Sequence, residues 1–380
     1  MKMHLLLTVA PLALATPAFA NDKPAAPAEP QAEAKAPEKE VFSTGVAKGR
    51  DILDSAISTS SLKESEVRKI GARSLAEILR QLPGIRVEAA SGEGNSNYTI
   101  RGLPLASGGS KYMQIEEDGL PVLEFGDIFN AGSDVFIRAD LNLAAIEAIR
   151  GGSASTFASN SPGGVINLLS KTGDVEGGTI EATTGLDYGE KRVDFQYGSK
   201  LSDNLRFHVG GFYRDGEGPR GTGFNTTQGG QIKLNVTKEF DGGYIRFYGK
   251  YLDDRSPIYD ITPLSVTGTN SDPEYGALAG FDPRHDTLFS RNLQRVTALD
   301  GNNNVSNHEM RNRVLAKTIG FESKFELGGW DVTERFRFAS QSGHFMGFGS
   351  AQFLPAAALA PAVGAPGGSI RFATGANAGQ

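Results

Sequence analysis

Three short patterns in this chain combine residue types that perform chemistry in other proteins. The GxGxxG pattern at residues 216–221 would cradle a dinucleotide, but that needs a strand–turn–helix context, and here it lies in a loop between alternating strands. Ser153 lacks the last glycine of a nucleophile elbow. His285 and His308 each stand beside an acidic residue, without a second spaced metal ligand. We therefore predict that the protein is not an enzyme and holds neither a metal nor a cofactor.

The N-terminus has the pattern of a secretory signal. Lys2 precedes an apolar run at residues 5–19, and Ala18 and Ala20 occupy the small-residue positions of a cleavage site. An N-terminal membrane anchor is the alternative, but the apolar run is shorter than the ~20 residues that a spanning helix needs. We predict a signal peptide at residues 1–20. Residues 21–39 consist almost wholly of Ala, Pro, Glu and Lys, which predicts a disordered, flexible linker.

Composition narrows the possible partners and the sources of stability. The 38 basic and 44 acidic residues give a net charge of −6, so no basic surface for nucleic acid is indicated. The chain has no cysteine, so an exported protein of this sequence is held by its core, its strand ladders or a bilayer rather than by disulfides. No later stretch is long and apolar enough for a spanning helix, and we expect any membrane insertion to use strands.

Residues 47–172 mix short helical and strand patterns, as expected of a small α+β domain. Ser74 and Glu77 form a capping-box pair at the start of one helix, which Pro83 and Gly84 end. Its apolar positions, at helical spacing, are Leu75, Ile78, Leu79 and Leu82. Four strands are predicted, mostly bounded by Gly or Pro turns, at residues 98–101, 113–117, 146–150 and 165–170.

Residues 173–380 change to a period of two. Apolar residues on alternate positions form one face, for example Ile180, Val193, Phe195, Tyr197, Leu234, Phe247, Ile319, Phe336 and Phe338. The intervening positions are charged or polar, for example Asp194, Gln196, Arg206, Lys233, Arg246, Lys250, Glu322, Lys324, Arg335 and Arg337. This is the pattern of a transmembrane β-barrel, apolar toward lipid and polar toward the lumen. A soluble β-sandwich also alternates, but this second face carries too many charges for a dry core.

The connections between these strands are of two kinds. Tight turns at residues 202–204 and 241–243 alternate with long loops, the longest at residues 253–313. Short turns on one side and long loops on the other are expected of an outer-membrane barrel. We count about seven strands, whereas plugged outer-membrane transporters have about 22. The predicted fold is therefore an all-β transmembrane barrel preceded by a small α+β plug domain, with the given chain a fragment of it.

Four strings then resemble one known family, the TonB-dependent receptors. They are LAEILRQLPGIRV at residues 75–87, YTIRGLP at 98–104, IEEDGLPV at 115–122 and IEAIRGGSASTFASNSPGGVINLLSK at 146–171. Each is weak alone, but together they follow the family's order and spacing. The resemblance implies a plug domain at residues 47–172, inside a barrel that begins at residue 173.

The resemblance also implies a TonB box at residues 40–46. Such a segment adds a β-strand to a periplasmic partner, so it must be β-prone, unpaired and loosely tethered. The predicted TonB-binding residues are Glu40, Val41, Phe42, Ser43, Thr44 and Gly45. The alternative is an ordinary first strand of the plug.

Two further groups of site residues are predicted. Arg101 and Arg150 each precede a glycine, and by resemblance such arginines pair with plug or barrel carboxylates and lock the plug in place, because an unpaired buried charge is costly. Substrate contacts are expected in the plug loops at residues 105–112 and 123–134. The candidate substrate-binding residues are Tyr112, Glu124, Phe125, Asp127 and Asn130.

These expectations combine into TonB-dependent import across the Gram-negative outer membrane. By resemblance the cargo is a ferric siderophore or another large nutrient, such as an oligosaccharide or a cobalamin-like molecule. The expected partners are the periplasmic domain of TonB, an extracellular small-molecule ligand and outer-membrane lipid, with no nucleic acid. The alternatives are a passive outer-membrane porin or a truncated chain that does not transport.

Overall fold

A computed structural model describes most of the chain after residue 40. The described residues are 41–46, 49–51, 57–72, 74–89, 93–94, 96–104, 110–123, 127–128, 131–151, 158–159, 161–259, 261–299, 302–348, 356–362, 367–369, 371 and 378–379. Within these ranges no helix has both the length and the apolar character needed to cross a membrane. The predicted signal peptide and linker lie outside the described residues.

The first part of the chain folds around a five-stranded sheet. Its strands and helices are β1 (Val41–Phe42), β2 (Arg50–Asp51), β3 (Ser58–Lys63), α1 (Glu64–Ile70), α2 (Leu75–Leu79), β4 (Ile85–Glu88), β5 (Asn97–Ile100), β6 (Met113–Glu117), β7 (Leu120–Pro121), β8 (Asp127–Ile128), β9 (Ala131–Gly132), a 3₁₀ turn (Ser133–Phe136), β10 (Leu143–Arg150) and β11 (Gly164–Ser170). The strand order in the main sheet is β3-β10-β11-β6-β7. Only the β11–β6 pair in this sheet is parallel.

The core of this domain lies on one face of the sheet, under helix α2. Ser74 caps α2, and its Oγ accepts a hydrogen bond from Glu77 N at 3.3 Å, as the sequence predicts. Leu79 and Ile100 are fully buried in the same cluster. Helix α2 ends at Leu79, earlier than its apolar spacing suggests. Helix α1 was not predicted, because none of its residues is buried.

A tight turn joins β6 to β7. Asp118 and Gly119 have φ angles of 54° and 80°, which is the left-handed pair that two-residue hairpins require. The Asp118 carboxylate accepts hydrogen bonds from Ser170 N at 2.7 Å and Ser170 Oγ at 2.8 Å. Asn167 Oδ1 accepts one from Gly119 N at 3.0 Å. The turn is therefore tied to strand β11.

The second part of the chain forms a seven-stranded antiparallel sheet, the wall. Its strands are β12 (Gly177–Thr184), β13 (Glu190–Ser202), β14 (Leu205–Gly216), β15 (Thr227–Phe240), β16 (Gly243–Ser256), β21 (Asn312–Leu327) and β22 (Trp330–His344). Each pairs with the next along the chain. Two hairpins lie between β16 and β21: one consists of β17 (Leu264–Thr269) and β18 (Asp272–Ala277), the other of β19 (Arg295–Leu299) and β20 (Val305–Glu309). Helix α3 (Ala356–Ala362) follows β22. These hairpins lie where the sequence predicted a loop.

The apolar residues and the charged or polar residues that alternate along the wall strands lie on opposite faces of the wall. Aromatic and aliphatic side chains are exposed on the outer face, among them Val193, Phe195, Tyr197, Ile232, Leu234, Phe247, Ile319, Phe336 and Phe338. The inner face is polar and contacts the plug, through Lys233, Lys250 and Arg337 among others. The barrel-wall prediction is confirmed: an apolar face toward lipid and a charged face toward the lumen. In the described residues the sheet remains open, with β12 and β22 at its edges.

Candidate partner strand and plug–wall contacts

The predicted partner-binding strand is docked on the plug rather than unpaired. Val41 and Phe42 pair antiparallel with Asp51 and Arg50. The Phe42 side chain is 1% exposed and packs against Ile149 and Val165, on the face of the sheet opposite the main core. Glu40 lies outside the described residues. The expectation of an unpaired segment is therefore wrong for this state, because burying an aromatic ring favours the docked position.

A single carboxylate oxygen holds the next two residues of this strand. Glu147 Oε2 accepts hydrogen bonds from Ser43 N at 3.1 Å, from Thr44 N at 2.9 Å and from Thr44 Oγ1. Thr44 is buried, and Glu147 is 6% exposed. Gly45 follows with φ 65°, where a Cβ atom would lie 2.8 Å from Ile149 Cδ1. Glycine at this position thus lets the chain turn closely against the sheet.

Asn167 connects this docked segment to the β6–β7 turn. Its Nδ2 donates to Thr44 Oγ1 at 3.0 Å, while its Oδ1 accepts from Gly119 N at 3.0 Å. Asn167 is the register partner of Glu147 on the neighbouring strand. One buried amide side chain therefore contacts both the strand and the turn.

The β6–β7 turn in turn contacts the wall. The Glu117 carboxylate pairs with Lys233 Nζ at 2.9 Å and with Lys250 Nζ, and Arg337 Nη2 donates to Leu120 O at 3.0 Å. Burial by itself would raise the pKa of the Glu117 carboxyl, but the two ammonium groups hold it well below its usual range. Glu117 is thus an anion at neutral pH, paired with wall lysines.

A second plug–wall contact lies near the long-loop ends of the strands. Arg138 Nε donates to Asp254 Oδ2 at 2.7 Å, and Arg214 Nη2 donates to the same oxygen at 2.6 Å. Glu93 also pairs with Arg214. Arg138, Arg214 and Asp254 are nearly inaccessible to solvent. The sequence patterns did not predict these residues. A single arginine directly after the apolar residues 135–137 could have indicated a buried charge.

The two predicted plug-locking arginines lie close to each other. Arg101 has φ 52° in a turn, one residue beyond β5, and its side chain is exposed. Arg150 donates to Thr59 O at 3.0 Å and to Pro83 O. Burial and the neighbouring Arg101 charge lower the pKa of Arg150. In the part of the chain that the structure describes, neither forms an ion pair, and their locking role stays a prediction.

The predicted substrate residues are only partly described. Tyr112 is half-buried, and its carbonyl oxygen accepts a hydrogen bond from Gly163 N at 2.8 Å. Asp127 lies in β8, opposite Gly132. Glu124, Phe125 and Asn130 lie outside the described residues. The substrate role of all five stays a prediction.

A cavity of about 220 Å³ lies at the long-loop end, between the plug and the wall. Glu93 and Arg214 line it from the second plug–wall contact, and Arg220 and Tyr259 line it from the loops. The Arg220 guanidinium lies 5.5 Å from the centre of the Tyr259 ring and donates to Thr262 Oγ1 at 3.1 Å. This loop cavity was not predicted from the sequence, because it forms between segments far apart in the chain.

Comparisons with known proteins agree with this architecture. Residues 51–165 match the TonB-dependent Receptor Plug Domain family. The ferric enterobactin receptor of Pseudomonas aeruginosa is 25% identical over 166 residues, which cover 39% of this chain and 21% of that protein. This chain therefore spans about a fifth of the length of this curated relative.

Solved structures share the fold. The unliganded ferric citrate transporter FecA superposes with a TM-score of 0.56 at 17% identity, covering 77% of this chain and 41% of that one. The alcaligin outer-membrane receptor FauA of Bordetella pertussis gives a TM-score of 0.53 at 14% identity, covering 80% and 42%. This chain thus contains a plug domain of the TonB-dependent receptors at residues 51–165, followed by a seven-stranded wall with the fold of these outer-membrane receptor structures.

Proposed function

We propose that the full-length protein imports a ferric siderophore across the outer membrane, using energy delivered by TonB through the strand at residues 40–46. The observation that carries this proposal is the way that strand is held. It pairs over two residues with β2 and is not a member of the five-stranded sheet. A segment outside the main sheet can leave without breaking that sheet's ladder, and can then add to the sheet of a partner.

A series of contacts through the plug connects the docked strand with the barrel wall, and this supports coupling between the two. The docked strand contacts Asn167, Asn167 contacts the β6–β7 turn, and Glu117 of that turn pairs with Lys233 and Lys250 of the wall. Movement of the plug against the wall would therefore change the surroundings of Thr44. Arg101 and Arg150 add to this proposal as locking residues, because two neighbouring guanidinium groups favour an anionic partner.

Support for the class of ligand comes from the relatives and from the cavity at the long-loop end. The relatives are named for ferric enterobactin, ferric citrate and alcaligin, so a ferric siderophore is the first candidate and other large nutrients come second. The loop cavity offers the guanidinium of Arg220 and the ring of Tyr259. Together with Tyr112 and the plug loop at residues 123–134, it forms the proposed binding region.

The test uses the complete parent gene expressed in outer membranes. Val41→Pro removes a backbone donor and disfavours strand addition to a partner. We expect loss of ⁵⁵Fe-siderophore uptake while binding to the cell surface is retained. Val175→Pro is the matched control, since Val175 is exposed and lies outside the strands.

Each result has a separate meaning. Uptake that survives Val41→Pro would contradict energised transport through this strand and would favour a passive porin. Loss of both binding and uptake would instead point to a misfolded plug, which limited proteolysis of the same membranes detects. A screen of ferric siderophores, with an oligosaccharide and a cobalamin for comparison, tests the ligand class independently of the strand.

A further inference from the structure

Two histidines from separate segments lie side by side at the long-loop end of the wall. His308 lies in the β19–β20 hairpin, and His344 is the last residue of β22. Their ring centres are 5.3 Å apart, and the ring planes are inclined at 57°. In the sequence, His308 has no second ligand at a metal-binding spacing. The fold thus supplies a partner imidazole that sequence spacing could not indicate.

The His344 ring carries an unused lone pair. Its Nε2 is buried and forms no hydrogen bond within the part of the chain that the structure describes. The same ring forms a hydrogen bond with the backbone of Arg311. A backbone carbonyl that accepts the Nδ1 proton fixes the tautomer in which Nε2 is unprotonated, as in metal-binding histidines. Buried polar atoms rarely lack a partner, so this nitrogen favours a ligand from outside the protein.

The His308 ring is oriented in a comparable way. Its Nε2 lies 2.7 Å from Ser306 Oγ, two residues earlier on the same strand. Donation from Nε2 to that hydroxyl leaves the lone pair of the ring on Nδ1. Each of the two rings therefore has one nitrogen in a hydrogen bond and one nitrogen for coordination.

The separation of the two rings suits a shared metal ion. Because Zn–N bonds are about 2.0–2.1 Å long, two imidazoles on one tetrahedral ion have ring centres about 5 Å apart. The observed separation is 5.3 Å. Imidazole suits Zn²⁺, Cu²⁺ and Ni²⁺ as a ligand. Among the described residues no third His, Cys, Asp or Glu completes a metal-binding group with them, so water would fill the remaining positions.

The charged groups around the histidines compensate one another. Arg313 pairs with Asp253 at 2.9 Å. Glu309 pairs with Arg311 at 2.9 Å and with Arg255 at 3.3 Å, so its carboxylate is already engaged. Each guanidinium thus has a carboxylate partner, and salt screens the remaining positive charge at this partly exposed end of the wall.

We propose that His308 and His344 together bind one divalent transition-metal ion of the Zn²⁺ or Cu²⁺ class. The ion ties the β19–β20 hairpin to the end of β22, two elements that the strand ladders leave unconnected. It thereby fixes the position of this hairpin within the long connection between β16 and β21. This role is independent of the imported ligand and of the partner-binding strand.

The test uses the full-length protein in detergent micelles, freed of metal by a chelator. Isothermal titration with zinc chloride at about pH 7.5, where an ordinary histidine is mostly neutral, measures the number of bound ions. We expect the wild type to bind one Zn²⁺ more than His308→Ala/His344→Ala. Each single variant should weaken that binding by at least about tenfold. With Cu²⁺, electron paramagnetic resonance should detect two imidazole nitrogens in the wild type and one in each single variant.

His285→Ala is the matched control, because His285 is an exposed loop histidine beside an acidic residue and its loss should leave Zn²⁺ binding unchanged. Hydrogen exchange of the wild type requires no substitution, and zinc should slow exchange at residues 295–299 and 305–309. Equal numbers of bound ions in the wild type and the double variant would overturn the proposal. Equal loss in His285→Ala, or exchange that zinc does not change, would also overturn it. Heat-modified mobility on gels verifies that each variant is folded.

Discussion

Glu147 and Thr44 lie 103 residues apart in the chain, and one carboxylate oxygen of Glu147 accepts both the backbone N–H and the side-chain hydroxyl of Thr44. The same oxygen accepts Ser43 N at 3.1 Å. A buried carboxylate needs such donors, because desolvated charge without partners is costly. The docked state of the segment at residues 41–45 is therefore favourable for Glu147 as well as for the segment.

Replacing Glu147 should loosen the docked strand. Glu147→Gln keeps an acceptor but loses its charge, and hydrogen bonds to a charged group contribute about 1.5–3 kcal/mol. Because this chain has no cysteine, Phe42→Cys provides a unique thiol in it, at a position that is 1% exposed in the docked state. We expect Glu147→Gln to increase maleimide labelling of that thiol about tenfold at sub-saturating reagent. Glu88→Gln, at an exposed plug carboxylate, should leave the rate unchanged, and an unchanged rate in Glu147→Gln would exclude the carboxylate as a holding group.

Asn167 and Thr44 should be energetically coupled. Asn167→Ala removes both the bond to Thr44 Oγ1 and the bond from Gly119 N, and an unsatisfied buried polar group costs about 1–3 kcal/mol. The same labelling assay on Asn167→Ala, Thr44→Val and the double variant forms a double-mutant cycle. We expect a coupling energy above about 0.5 kcal/mol. Additive effects would mean that Asn167 acts on the turn alone.

Asp254→Asn should weaken the second plug–wall contact strongly. The substitution leaves Arg138 and Arg214 buried beside each other with Glu93 as their remaining carboxylate, and removing one partner of a buried ion pair costs up to about 3–5 kcal/mol. We expect earlier thermal release of the plug, visible as faster hydrogen exchange around residues 134–143. Asp282→Asn changes an exposed loop carboxylate and serves as the control. Equal protection in the two variants would show that the cluster contributes little to holding the plug.

Glu116 should make plug stability depend on pH. Burial raises the pKa of Glu116 from 4.5 to about 7, although Arg335 and Arg337 oppose the shift. The folded state then binds more protons than the unfolded state between these values, so stability falls as pH rises from 4.5 to about 7. The shift corresponds to about 3 kcal/mol at higher pH.

Glu116→Gln removes that dependence. Denaturant titrations of the full-length protein at about pH 5 and about pH 8 should show a smaller difference for the variant than for the wild type. Glu117→Gln is an informative contrast, because the pKa of Glu117 is lowered by Lys233 and Lys250 and its stabilisation is lost only as pH falls below the ordinary carboxyl range. An identical pH profile for Glu116→Gln and wild type would contradict the assignment.

Local patterns predicted much of the fold. Alternation along β13 to β16, β21 and β22 separates lipid-facing from lumen-facing side chains, since successive residues of a strand point to opposite faces. The Asp118-Gly119 pair lies within the string at residues 115–122 that resembles the family, and it forms a tight turn because both residues adopt positive φ. Helix α1 and the two hairpins at residues 264–277 and 295–309 escaped prediction, since short exposed elements carry no buried stripe.

By itself, then, the order of residues determined the two-part architecture and the two faces of the wall strands, because each depends on periodicity or on a short contiguous motif. Only the tertiary structure decided that the segment at residues 41–45 is docked on Glu147, and that Arg138 rather than Arg101 or Arg150 contacts the described wall. These contacts join residues far apart in the chain, and their pairing depends on strand register and on how the plug packs against the wall.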